Sequence, residues 1–102
     1  MAISLKHGAR AQGLSNEIML AIMVAEGIFA RWNKDVIITS GTDGPHSNQS
    51  LHYTGHAVDL RSRHLTKDQK SAVSHLLSEA LGDQYDVVAE PDHFHVEFDP
   101  RK

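Results

Sequence analysis

The chain has 102 residues, enough for one domain with a single modest core. Hydrophobic residues make up 40% and charged residues 23%, an ordinary globular balance, and the net charge of −3 offers no basic surface for nucleic acid. Cysteine is absent, which excludes disulfides and thiolate ligands and leaves histidine and carboxylate as the only donors for a transition metal.

The first ten residues carry no apolar stretch and no cleavage-like site, so no secretory signal is expected. A helix is predicted from about Ser15 to Trp32. Ser15 caps it, Glu17 suits the positive end of its dipole, and Ile18, Ile22, Ala25, Phe29 and Trp32 form one apolar stripe. The apolar run within it, broken at Glu26 and Gly27, falls far short of the ~20 residues of a membrane span.

Val36 to Ser40 is a β-branched run and reads as a strand; Gly41 to Gln49, rich in Gly, Ser, Asp and Asn, reads as a loop. Ala57 to Arg61 is a second strand, with Val58 and Leu60 on one face and Asp59 on the other. Thr66-Lys67-Asp68-Gln69 is a capping box that opens a second helix. Val73, Leu76, Leu77, Ala80 and Leu81 are its expected buried face, and Gly82 its stop. His64 and His75 are expected at the surface. Tyr85 to Ala89 and Phe94 to Phe98 are two more strands, joined by a turn at Glu90-Pro91-Asp92. Period-two alternation sends Phe94, Val96 and Phe98 to the core and groups His93, His95 and Glu97 on the opposite face. The expected fold is α+β, one domain over residues 1–102, with a single small antiparallel sheet covered by helices.

Eight histidines are many for this length, and all but His7 fall from His46 onward. His52 ends the polar loop, Gly55 permits a sharp turn or a close backbone approach, and Asp59 leaves the polar face of a strand. If the chain folds back at Gly55, His52 and Asp59 converge on one ion, and His95 supplies a third ligand from a neighbouring strand. Two imidazoles and a carboxylate leave one tetrahedral position open, the pattern of catalytic zinc. The bland alternative is a loop histidine and a solvated strand carboxylate.

The stretch S-L-H-Y-T-G-H-A-V-D-L resembles the signature S-x-H-x-x-G-x-A-x-D of the Hedgehog/D-alanyl-D-alanine peptidase family, and D-H-F-H-V-E-F resembles its closing H-x-H strand. The run from Thr39 to Leu60 is similar in pattern to Hedgehog signalling domains, and the resemblance spans roughly Val36 to Phe98. It implies zinc held by His52, Asp59 and His95, with His93 beside the reacting atoms. It implies a general base shortly before the last ligand: Asp92, three residues before His95, matches the peptidases, and Glu90 stands nearer to the Hedgehog arrangement. His46 matches a loop histidine of the Hedgehog pattern, while His56 fills a variable position and stays outside the expected site.

The implied activity is zinc-dependent hydrolysis of an amide bond in bacterial peptidoglycan peptides. Many carboxypeptidases of the family carry an arginine after the first strand, in a pattern like S-G-Y-R, that binds the substrate carboxylate; here Ser40-Gly41-Thr42-Asp43 stands in its place, which favours an endopeptidase. The partner expected is a wall peptide, with no nucleic acid and no membrane. Synthesis in the cytoplasm and delivery to the wall by lysis or on a virion is the expected route. The rival expectation is a non-catalytic zinc module, Hedgehog-like, that binds a partner or builds a virion.

Overall fold

The structure is a computed structural model and describes residues 2–42 and 54–100. His46 and His52 lie outside those residues, as does the expected loop beyond Thr42.

Helix α1 runs Asn16–Phe29 and ends in a single 3-10 turn, Ala30–Trp32. Ser15 caps it as the sequence predicts, its hydroxyl accepting a hydrogen bond from the Ile18 amide. Helix α2, Lys67–Leu81, opens with the reciprocal capping box of Thr66 and Gln69 and closes at Gly82, whose φ of +88° suits glycine. Among the described residues no helix is long and apolar enough to cross a membrane.

Five strands, β1 (Ile3–Leu5), β2 (Val36–Ser40), β3 (Ala57–Arg61), β4 (Tyr85–Ala89) and β5 (His93–Phe98), form one sheet in the order β1-β2-β3-β5-β4. The pairs β2–β3, β3–β5 and β5–β4 are antiparallel, but β1 pairs parallel with β2. The sheet is therefore mixed, which corrects the expectation of a purely antiparallel one. The cause is α1, which carries the chain from β1 back to the start of β2 as a crossover, and a crossover is what parallel neighbours require. Strand β1 gave no sequence signal because its three side chains are all exposed. Backbone bonds hold it instead, from the Val36 amide to the Ala2 carbonyl at 3.0 Å and from the Lys6 amide to the Ile38 carbonyl at 2.9 Å.

Both helices cover one face of the sheet. Ile18, Ile22, Ala25 and Phe29 of α1 and Val73 and Leu77 of α2 meet Val36, Ile38, Val58, Leu60, Phe94 and Val96 in a continuous core. Tyr85 ties β4 to α1 by donating its hydroxyl proton to the Glu17 carbonyl at 3.0 Å; burial and the nearby Glu17 carboxylate push its pKa up, which keeps that proton in place. Ala80 is exposed and lies off the buried face of α2, with Leu76 and Leu81 half-buried. His75 is exposed as expected, but His64 is half-buried: its Nε2 lies 2.7 Å from the Asp35 carbonyl and its ring stands 6.0 Å from that of Phe29. Burial against Phe29 and a backbone partner remove it from the surface.

Candidate metal centre

The sheet face away from the helices carries the polar residues. On β3, alternation sends Val58 and Leu60 to the core and leaves Asp59 and Arg61 on the open face. On β5 the same alternation buries Phe94 and Val96 and leaves His93, His95 and Glu97 opposite them. The antiparallel register then decides which polar groups meet: Asp59 stands opposite His95, and Arg61 opposite His93.

His95 Nδ1 lies 3.0 Å from Asp59 Oδ1, and both side chains are largely shielded from solvent. The other ring nitrogen of His95, Nε2, lies 2.9 Å from Glu97 Oε1. The hydrogen bond with Asp59 raises the His95 pKa most, burial works against it, and Glu97 adds to the rise. Imidazole and carboxylate are thus brought to the separation of two ligands sharing an ion: donors 2.0–2.1 Å from a tetrahedral zinc stand about 3.3 Å apart. Glu97 lies on the far edge of the ring. It is placed to orient His95 rather than to join Asp59 around the same ion, an arrangement that metal-binding histidines commonly share. The sequence put Glu97 on this face but gave no sign of this bond.

Among the described residues no three such donors cluster around one point. The third expected ligand, His52, lies outside them, as does His46. What is described after His52 is the turn that leads into β3. Gly55 has a φ of +78°, and its carbonyl accepts a hydrogen bond from the Ser15 amide at 2.9 Å. A Cβ there would overlap the backbone of Gly13. The sharp turn and the close approach expected of Gly55 are both present.

Asp92 and His93 stand beside the Asp59–His95 pair. His93 Nδ1 lies 2.7 Å from Asp92 Oδ1, and its Nε2 lies 3.8 Å from Asp59 Oδ1. The hydrogen bond with His93 holds the Asp92 carboxyl below the usual carboxylate range, and the charges of His93 and Arg63 add to that. Asp92 is largely exposed, and its backbone carbonyl is pinned by the Ser62 amide at 3.0 Å. Asp59, Asp92 and His93 share the wall of a cleft of about 260 Å3. Glu90 does not line it. Glu90 lines a separate cleft along α2 with Lys67, Lys70 and His75, and Lys70 Nζ donates to its backbone carbonyl at 2.5 Å. His56 is occupied locally, its Nδ1 2.9 Å from Thr54 Oγ1.

Strand β2 contributes an irregularity. Ile38 pairs with Leu60 but Ser40 pairs with Asp59, so one extra residue, Thr39, is accommodated opposite the Leu60–Asp59 step. Thr39 Oγ1 donates to the Asp59 carbonyl at 3.4 Å. The bulge lies beside Asp59, the residue whose side chain faces His95.

Compared with known proteins, the chain matches no family model and no curated protein.

Proposed function

We propose that this chain is a zinc peptidase of the Hedgehog/D-alanyl-D-alanine peptidase type that hydrolyses an amide bond within peptidoglycan peptides. The observation that carries the reading is the register pair Asp59–His95, two donors of the kind zinc takes, met on one open sheet face with the Asp92–His93 pair at its side. His52, Asp59 and His95 would hold the metal. When bound, zinc supplies Lewis acidity and lowers the pKa of a water to about 7.

The remaining chemistry belongs to the chain. Asp92 is the proposed base, since it shares the cleft with Asp59 while Glu90 faces another cleft. Its carboxylate is ionised at neutral pH and would take the proton of the attacking water and pass it to the leaving amine, while the His93 hydrogen bond that lowers its pKa makes it a weaker base than a free aspartate. With His93 Nδ1 engaged by Asp92, Nε2 is the ring nitrogen turned toward Asp59, in position to steady charge on the substrate carbonyl oxygen. Endopeptidase action is favoured because Ser40-Gly41-Thr42-Asp43 stands where carboxypeptidases of this type carry a carboxylate-binding arginine after the strand.

Digestion of purified peptidoglycan by zinc-loaded protein, with mass spectrometry of the fragments, tests the reading. New amino and carboxyl ends inside the stem or cross-link are expected, abolished by chelation and restored by zinc. Intact walls after incubation with protein of verified zinc content would replace it with the non-catalytic binding module.

A further inference from the structure

The sheet ends at β1, and among the described residues no strand pairs with its outer edge. The bonds to β2 fix which backbone groups lie there. The Ala2 carbonyl is taken by the Val36 amide, and the Lys6 amide by the Ile38 carbonyl. Alternate residues of a parallel strand bond to the same neighbour, so Ile3 and Leu5 aim their N–H and C=O groups outward. Two donors and two acceptors thus stand at an exposed edge, a template for another strand.

The side chains beside that edge are apolar. Ile3 and Leu5 stand in register with Val36 and Ile38 of the core, so both lie on the helix-covered face. They are 40% and 49% exposed, and Met19 and Met23 of α1 are 46% and 62% exposed. With Ala11 and Ile22 these four line an apolar cleft of about 330 Å3. On β4, the opposite edge strand, Val88 is the one large hydrophobic residue exposed to this degree. The β1 edge therefore makes two demands on an occupant: backbone groups to pair with, and apolar side chains to cover. A small apolar ligand meets the second and leaves the first unmet.

We propose that the chain forms a two-fold dimer in which β1 pairs antiparallel with β1 of a second copy, centred on Ser4. The strand is self-complementary in that register. Ile3 stands opposite Leu5 of the second copy, and Leu5 opposite its Ile3. Each such pair exchanges two N–H···O bonds, which uses every outward group of Ile3 and Leu5. Lys6 meets Ala2, so no like charges are opposed. The two-fold axis of such an edge pair runs perpendicular to the sheet, so both helix layers fall on one side. Met19 and Met23 of each copy then flank the Ile3–Leu5 pairs. Side chains and edge backbone together would bury roughly 1,000 Å2, the lower end of specific interfaces, which points to a Kd in the micromolar range. The two sheets become one continuous sheet, with both Asp59–His95 pairs open on its other side. The dimer is independent of the peptidase reading.

Sedimentation of the full chain over a range of concentrations, with and without zinc, measures the association. A monomer–dimer equilibrium is expected. Met23→Lys changes an exposed side chain and should weaken it about 10-fold or more at unchanged circular dichroism. Leu5→Pro removes an outward N–H, which an edge strand tolerates, and should weaken it similarly. Register is read by cross-linking, since the chain has no cysteine of its own. Ser4 would face its own copy across the axis in a non-hydrogen-bonded pair, Cα atoms about 4.5 Å apart, within disulfide reach. Ser4→Cys should therefore oxidise rapidly to a covalent dimer, and Ser78→Cys, exposed on α2, should not. A chain that stays monomeric up to about 1 mM would overturn the dimer. So would association unchanged by Met23→Lys, which does not depend on how Leu5→Pro folds. Equal cross-linking of Ser4→Cys and Ser78→Cys would overturn the β1 register.

Discussion

The carbonyl oxygen of Gly13 fills the space that a Cβ on Gly55 would need, so the loop before α1 and the turn before β3 touch backbone to backbone. The Ser15 amide seals the contact on the Gly55 carbonyl. Gly55→Ala should lower stability by about 1–3 kcal/mol, from the left-handed φ and the overlap together. It should also weaken zinc binding, because this turn sets the path from His52 to Asp59. Denaturant melts and zinc titration read the two effects. Unchanged zinc affinity in a clearly destabilised variant would separate the turn from the site.

Zinc should bind at about one ion per chain. His52→Ala and His95→Ala should each lose most of it after dialysis, measured by elemental analysis. His56→Ala should keep it, since His56 is held by Thr54 away from Asp59. Loss of zinc from His56→Ala would overturn the ligand assignment.

The pH dependence should change sign with the metal. In metal-free protein the His95 pKa is raised above its unfolded value by Asp59 and Glu97. Its contribution is fully present below the unfolded pKa, near 6.5, and is lost as pH rises through the folded value. Zinc requires the deprotonated ring, so the stabilisation that zinc adds should instead grow over the same rise. Melting temperatures with and without zinc should therefore diverge from about pH 6 upward. Parallel curves would show that His95 does not ligate.

Asp92→Asn keeps the shape of the side chain and should keep zinc, while the rate falls by roughly 10²–10⁴. Glu90→Gln should have little effect, since Glu90 lines the α2 cleft. Steady-state rates on a wall fragment, with zinc content checked, rank the two. The opposite ranking would move the base to Glu90.

Much of this arrangement is legible in the residues because strands and helices bury side chains with fixed periods. The alternation Phe94, Val96 against His93, His95, Glu97 is visible in the sequence, as are the Ser15 cap and the Thr66–Gln69 box. Partnership is not. No local pattern states that β3 neighbours β5, or that Asp59 rather than Arg61 stands opposite His95. Strand β1 is invisible because backbone bonds, not buried side chains, hold it. His64 looks like a surface residue until Phe29 and the Asp35 carbonyl are seen beside it. Lys6, Arg61 and Arg63 come to line the cleft beside Asp59 only when three separated segments are brought together.

On β5 the core residues and the candidate site residues alternate one by one. A slip of that strand by a single position would turn His93, His95 and Glu97 toward the helices and Phe94 and Val96 toward water. A one-residue slip therefore cannot pass quietly, because it buries imidazole and exposes phenylalanine at once. If zinc binds as proposed, its uptake would report that the strand had locked in the alignment that sets Asp59 opposite His95.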